Sequence, residues 1–347
     1  MRRLAAVILV SAFILSGCNA AKPEEKVTEV TVTETSVTEP APTPTSTPTP
    51  TPTPEPIRFN PHVHSDILSA ELNEEGLWES FYNMCDALRA GEDSFSCKSK
   101  KVYDMVSESL MTGDLFPAAC MVTELAGYED GVARIKYNIG KEEFLLREKV
   151  FEEEIERILN ESVKSDYTEF EKIMGLYEYM CTNVTYDHST MDTPSVDEFS
   201  TYACLMTKQG ICTEVASAYA YLLLQVGVDA LHIEEHKACH AWTYVVCGGK
   251  GYHVDATWGQ RQPGENLLLQ YFMQTDEERK ADGMDVDGAE IHPITWFRRD
   301  FDKSRYNATD DKFKPFHWYA IYKGMDTDRK VIFYMPEDTV LEFKYED

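Results

Sequence analysis

Residues 210–227 read GICTEVASAYAYLLLQVG, and this stretch decides the fold. From Thr213 to Val226 apolar side chains occupy nearly every face of a helix, which predicts a helix buried at the centre of the protein. Gly227 follows in the position of a C-cap. Cys212 stands at the start of the helix, where the positive end of the helix dipole favours a thiolate. The stretch therefore predicts a core helix with a reactive cysteine at its N-terminus.

The residues after this helix predict an antiparallel sheet. His240–Val246 and Tyr252–Trp258 are rich in aromatic and β-branched residues, and Gly248-Gly249 between them suits a two-residue hairpin turn. Helical spacing dominates the chain before the central helix, so the order is helices first and sheet afterwards. That order predicts the α+β class, with the nucleophile helix packed on an antiparallel sheet. Further short strands are predicted at 318–322, 331–334 and 340–345.

The hairpin turn also fixes which residues face each other. With a two-residue turn Cys247 pairs with Lys250, and counting outward sets Trp242 opposite Asp255. Side chains alternate between faces along a strand, so His240 and Asp255 share a face as diagonal neighbours at roughly 7–8 Å. A loop with an odd number of residues and no bulge would put them on opposite faces.

A thiol, an imidazole and a carboxylate in this arrangement predict cysteine acyl-transfer chemistry. His240 would hold the proton of Cys212 and deliver it to a leaving amine, and Asp255 would orient and stabilise the imidazolium. The backbone N–H of Cys212 would stabilise an oxyanion, with Tyr202 or Gln209 as the second donor.

Three motifs resemble the core motifs of the transglutaminase-like superfamily: Gly210-Ile211-Cys212, His240-Ala241-Trp242 and Asp255-Ala256-Thr257-Trp258. Tyr186-Asp187 and Tyr271-Phe272 also stand where bacterial members commonly have them. The resemblance implies a papain-like core over about 166–280, with Cys212 as nucleophile, His240 as base and Asp255 as its orienter. Many relatives have a glycine soon after the cysteine, whereas this chain has Thr213-Glu214-Val215-Ala216.

The N-terminus predicts export and a lipid anchor. Residues 1–17 combine Arg2 and Arg3 with an apolar run too short to span a bilayer, which is typical of a signal peptide. The run ends at Leu15-Ser16-Gly17-Cys18, which resembles a bacterial lipoprotein box with Cys18 as the lipidated residue. Residues 18–57 are Thr/Pro-rich and predict an extended tether. We expect an extracytoplasmic protein held to the cell membrane by lipid.

The remaining chain divides into two predicted regions. Residues 58–165 read as a mixed, mainly helical accessory region without a catalytic constellation, with apolar residues at helical spacing in 77–88, 103–110 and 144–159. Residues 166–347 read as the transglutaminase-like domain with C-terminal strands, and 170–181 predicts a second strong helix.

The net charge limits the classes of binding partner, and the cysteine content bears on whether disulfides form. The formal net charge of −27 argues against nucleic acid or anionic lipid as a partner, because either would be repelled. Nine cysteines in an exported chain raise the possibility of disulfides, but Cys85, Cys120, Cys181 and Cys204 stand among apolar residues. We therefore expect mostly free buried thiols.

Two other interpretations remain open. His232, His236 and His240 recur every four residues beside Cys239, and on a helix they would form a zinc site; the segment reads better as strand and turn, so no metal and no cofactor are predicted. The second alternative is a non-catalytic tethered binding module that keeps the triad as a scaffold. The favoured hypothesis is a cysteine peptidase, amidase or transamidase whose substrates are proteins or peptides, including cell-wall peptides.

Overall fold

Helices dominate the first half of the described chain. The computed structural model describes residues 54–188 and 200–346. The predicted signal peptide, Cys18 and all but the last residues of the predicted tether lie outside these ranges. No described helix is long and apolar enough to cross a membrane. The first elements are α1 (Asp66–Glu71), α2 (Leu77–Ala90), β1 (Ser94–Ser96), α3 (Lys100–Val106), α4 (Ser109–Leu115), α5 (Pro117–Val122), β2 (Thr123–Glu129), β3 (Val132–Tyr137) and α6 (Lys141–Ser162).

The second half carries the central helix and the main sheet. Its elements are α7 (Glu169–Asn183), β4 (Thr185–Tyr186), α8 (Thr201–Thr207), β5 (Gln209–Gly210), α9 (Cys212–Gln225), β6 (Ala230–Glu235), β7 (His240–Cys247), β8 (Lys250–Val254), α10 (Ala256–Gly259), α11 (Asp276–Ala281), β9 (Glu290–His292), α12 (Ile294–Phe297), β10 (Ile321–Asp326), β11 (Val331–Met335) and β12 (Leu341–Lys344). Two 3₁₀ turns span Lys303–Tyr306 and Lys314–Phe316.

The central helix α9 is buried on all sides, as its sequence predicts. Every residue of α9 except Thr213 is buried. On one side the Tyr219 hydroxyl donates to the Ile173 carbonyl of α7 at 2.8 Å, and on another Thr243 Oγ1 of β7 donates to the Ala216 carbonyl at 2.9 Å. Helix α9 is thus fixed between α7 and the main sheet.

The main sheet is antiparallel and has the strand order β8-β7-β6-β9. Helix α9 packs against β6 and β7. The fold also has two three-stranded sheets, with the strand orders β1-β3-β2 and β10-β11-β12. The predicted α+β class, with the nucleophile helix on an antiparallel sheet, is confirmed.

The predicted elements differ from the observed ones mainly at their ends. The second hairpin strand was expected to run to Trp258, but β8 ends at Val254 because the Asp255 side chain accepts the Trp258 N–H at 2.9 Å and caps α10. The strand expected from Trp318 begins only at Ile321, after the exposed Trp318 and Tyr319. Strand propensity registers neither a helix cap nor the exposure of a side chain.

The described cysteines are unpaired. Cys85, Cys181 and Cys204 are buried free thiols, as expected, and Cys97, Cys212, Cys239 and Cys247 are free as well. The side chain of Cys120 lies outside those that the structure describes.

Candidate active site

Cys212 is the first residue of α9. The preceding Ile211 is extended, with φ −85° and ψ −179°, and its N–H donates to the Glu214 carboxylate at 2.9 Å. The first backbone N–H groups of a helix have no acceptor within it, so this end attracts negative charge. Cys212 is 7% exposed, so only a small part of the residue is accessible to solvent.

The glycine before the thiol allows two segments to approach closely. Strand β5 pairs in parallel with β4, so Gly210 lies beside Tyr186. A Cβ atom at Gly210 would lie 3.1 Å from both Cys204 Sγ and the Glu214 Cβ. A larger residue would push β5 away from the start of α9.

The hairpin has the register that the sequence predicts. Cys247 pairs with Lys250, and Thr243 pairs with Val254. Continuing this register by one residue sets Trp242 opposite Asp255. His240 Nε2 and Asp255 Oδ2 are 2.6 Å apart. The two side chains meet because the turn contains two residues and keeps them on one face.

The Cys212 and His240 side chains are also in contact, and this interaction favours the imidazolium. With Nε2 bound to Asp255, Nδ1 is the ring nitrogen left for the thiol. The sulfur lies 3.9 Å from the Cys239 carbonyl oxygen. The structure therefore brings the three predicted catalytic residues together in the order thiol, imidazole, carboxylate.

The carboxylate has a third partner that sequence reasoning missed. Asp255 is completely buried, and Arg279 Nη2 donates to Asp255 Oδ2 at 3.0 Å. Arg279 belongs to the polar stretch DEERKA of α11, a composition typical of an exposed helix. Nothing in that stretch distinguishes Arg279 from Lys280, so only the tertiary structure identifies it.

The charges of His240, Asp255 and Arg279 stabilise the ionised form of Asp255 and of His240. Burial acts to lower the pKa of His240, but Asp255 and Cys212 outweigh it and raise the pKa to about 9. Burial acts to raise the pKa of Asp255, but Arg279 and His240 hold it below its ordinary value. An imidazolium facing a carboxylate is therefore the stable state near neutral pH.

Aromatic rings hold the imidazole in place. The Trp258 ring stacks on His240 with centroids 4.7 Å apart and planes inclined by 16°. Tyr271 packs edge-on against Trp258, with ring centroids 5.3 Å apart. These contacts restrict rotation of the imidazole and shield its bond to Asp255 from water.

A tyrosine that is not one of the two predicted second donors contacts the thiol. Tyr202 stacks on Phe151 at 5.1 Å, Gln209 is exposed, and neither makes a hydrogen bond to Cys212 within the described ranges. Tyr186 contacts the thiol instead, and its pKa is raised by burial and by Cys212. Its position in the Tyr186-Asp187 motif was the available sequence signal, but the motif did not specify this role.

The three histidines of the alternative zinc site do not converge, because their segment forms a strand and a turn instead of a helix. His232 lies on β6, His236 is exposed in the turn, and His240 is bound to Asp255. Over residues 54–188 and 200–346, no group of three or more His, Cys, Asp or Glu side chains could hold a metal ion.

Residues 156–256 match the family model described as the transglutaminase-like superfamily. This segment is transglutaminase-like. It runs from the end of α6 to the start of α10 and contains Cys212, His240 and Asp255.

Two solved structures are similar at low identity. A structure titled as a candidate cysteine protease from Cytophaga hutchinsonii is 14% identical, with a TM-score of 0.26 over 42% of this chain and 46% of that one. A structure titled as a TGase is 13% identical, with a TM-score of 0.28 over 43% of this chain and 48% of that one. The chain thus spans just under half the length of each. No curated protein matches it.

Proposed function

We propose that this protein is a cysteine enzyme that acts on amide bonds of proteins or peptides through a thioester on Cys212. The observation that carries the proposal is the 2.6 Å contact between His240 and Asp255, formed beside a thiol at the N-terminus of a buried helix. The transglutaminase-like match over the same residues supports it.

The geometry suggests the following sequence of steps. His240 holds the thiol proton as an imidazolium, and the Cys212 sulfur attacks the substrate carbonyl. The backbone N–H of Cys212 and the Tyr186 hydroxyl donate to the developing oxyanion. His240 then protonates the leaving amine, and a thioester remains on Cys212. Asp255 stays ionised throughout and stabilises the imidazolium.

The thioester has two possible fates, and both are consistent with this site. Attack by water gives hydrolysis, and attack by an amine gives a new amide. We favour hydrolysis. Incubation with a peptide library, followed by mass analysis, distinguishes cleaved peptides from amine adducts, and unchanged peptides would support the non-catalytic binding module.

The reactivity of the thiol tests the proposal without knowledge of the substrate. We expect iodoacetamide to alkylate Cys212 rapidly near neutral pH, and His240→Ala to slow that reaction about tenfold or more because the base is lost. Peptide mapping by mass resolves Cys212 from Cys239, whose exposed thiol is an internal reference.

His236→Ala is the matched control, because His236 is exposed and lies in the turn four residues earlier. It should leave the Cys212 rate unchanged. Equal rates in wild type and His240→Ala would contradict an activated thiol and favour the scaffold interpretation.

We further propose that the protein is exported and anchored by lipid on Cys18, which would place its substrates in the cell envelope or the surroundings. The sequence at residues 1–57 supports this proposal. Cys18→Ser should move the protein from the membrane fraction to the soluble extracytoplasmic fraction. Unchanged membrane association of that variant would contradict the anchor.

A further inference from the structure

Arg279 is a fully buried charge beside the candidate triad. Its side chain is 0% exposed, and its guanidinium lies between the rings of Trp242 and Trp258, 4.6 and 4.9 Å from their centroids. A buried guanidinium is costly unless it is paired, and two aromatic faces offset only part of that cost.

The closest charged partner of Arg279 is Asp255. Nη2 donates to Asp255 Oδ2 at 3.0 Å, the same oxygen that His240 Nε2 contacts at 2.6 Å. The other acceptors are more distant: Gln274 Oε1 lies 3.5 Å and Asp282 Oδ2 3.6 Å from Nη1. The guanidinium and the imidazole therefore hold a single carboxylate oxygen between them.

A carboxylate without solvent contact would take up a proton unless cations compensate it. The groups that face Asp255 from the elements packed around it are His240 of β7, Arg279 of α11, Tyr177 and Cys181 of α7, and Tyr271. Tyr177 and Cys181 are neutral near pH 7 because burial raises the pKa of each. His240 can lose its charge during the reaction, so Arg279 is the permanent cation among these groups.

We propose that Arg279 is a positioning residue, which keeps Asp255 ionised and directed at His240 and so sets the pH at which Cys212 becomes reactive. This inference rests on the proposed role of Cys212. If Asp255 were protonated, the imidazolium would lose its counter-charge, and His240 would be charged only at lower pH.

The packing around Arg279 suits this role. Trp258 stacks on both the guanidinium and His240, and its backbone N–H donates to Asp255 Oδ1 at 2.9 Å. Trp242 is fixed in turn, because its Nε1–H donates to His253 Nδ1 at 2.9 Å. The two tryptophans thus enclose the guanidinium while its Nη2 donates to Asp255.

The test is the pH profile of Cys212 alkylation by iodoacetamide between about pH 5 and pH 9, in the full chain, with peptide mapping. The variants are Arg279→Gln and Arg279→Met, which remove the charge, and Arg279→Lys, which keeps it. Lys280→Gln is the matched control, because it removes a cation from the next residue of α11, where the side chain is exposed.

We expect Arg279→Gln and Arg279→Met to raise the pH of half-maximal alkylation by about one unit, and to slow the reaction about tenfold at pH 6. Arg279→Lys should stay within about half a unit of wild type, and Lys280→Gln should be unchanged. Alkylation of Cys239 should follow the same profile in every variant.

A purely structural role predicts that Met, which fills the space between the tryptophans, keeps the wild-type profile. A folded Arg279→Met or Arg279→Gln with that profile overturns the proposal. If thermal melts show that neither variant folds, the test rests on Arg279→Lys. An increase of one unit in the pH of half-maximal Cys212 alkylation in this charged variant overturns the proposal.

Failure of this inference is distinguishable from failure of the proposed function. If wild-type Cys212 and the His240→Ala variant react equally, the proposed function fails. If wild-type Cys212 is activated and the uncharged Arg279 variants behave like it, only the role of Arg279 fails.

Discussion

The protonation of His240 depends on the burial and charge of the few side chains around it. Its pKa is raised to about 9, because Asp255 and Cys212 outweigh a burial that acts in the opposite direction. His253, which also contacts an aspartate, behaves differently: burial dominates, and its pKa is lowered despite Asp276 at 2.8 Å. Two His–Asp pairs on neighbouring strands of one sheet therefore have opposite protonation near neutral pH.

The first prediction concerns the pH dependence of stability at His240. Its folded-state pKa of about 9 exceeds the ordinary 6.5, so its contribution is complete below pH 6.5 and is lost as pH rises through about 9. The difference in unfolding free energy between wild type and Asp255→Asn should shrink by about 2 kcal/mol from pH 7 to pH 9.5. Urea denaturation at each pH measures it.

Asp276→Asn is the matched control for this prediction. The pKa of His253 is below its ordinary value, so its protonation changes below that pH window and not within it. The stability difference for Asp276→Asn should therefore be constant from about pH 7 to pH 9.5. A constant difference for Asp255→Asn as well would contradict the charged His240–Asp255 pair.

Two elements, the β7–β8 hairpin and α9, position the site. Gly248 and Gly249 have φ values of +60° and +73°, which suit a two-residue turn whose twist matches the strands. The turn also contacts α7, because the Gly248 N–H donates to Glu169 at 2.7 Å. Turn conformation thus determines the register that brings His240 to Asp255.

The second prediction tests this turn. Gly248→Val should reduce the unfolding free energy by about 1–2 kcal/mol, because a β-branched side chain is strained at positive φ. Gly248→Asn should be nearly neutral, since Asn tolerates that conformation and retains the N–H that Glu169 accepts. Chemical denaturation of both variants measures the effect, and equal stabilities would show that the left-handed conformation is not required.

At the scale of the whole molecule, residues before and after the predicted boundary at 165 share buried polar contacts. Glu71 of α1 is 2% exposed and accepts hydrogen bonds from Arg298 at 2.9 Å and from Arg305 and Tyr306 at 2.6 Å each. Gln225 at the end of α9 accepts the Asn60 N–H at 2.8 Å. The predicted boundary at residue 165 stays a prediction, and these contacts indicate that the two regions stabilise each other.

The third prediction concerns Glu71. Glu71→Ala should lower the unfolding free energy by about 2 kcal/mol, because three donors lose their acceptor although the arginines can still reach water. Glu75→Ala is the matched control: Glu75 is 84% exposed and pairs with Lys98, so its removal should leave stability nearly unchanged. Thermal and urea unfolding compare the two, and equal effects would show that Glu71 does not link the regions.

The local pattern was sufficient to predict the central helix, the hairpin register and the three candidate catalytic residues. Apolar periodicity and turn chemistry depend on near neighbours in the chain, so they can be read without coordinates. The contact between Tyr186 and the thiol could not be read in this way, because it depends on the pairing of β4 with β5.

Burial decided which further residue contacts the site and how its groups are charged. Arg279 lies in a stretch whose composition predicts a solvated helix, and only the packing of α11 against the two tryptophans makes it a buried partner of Asp255. The sequence alone therefore identified the candidate reactive groups. The tertiary structure decided their charge, because the energy of an ionised group depends on solvent exclusion and on residues distant in the chain.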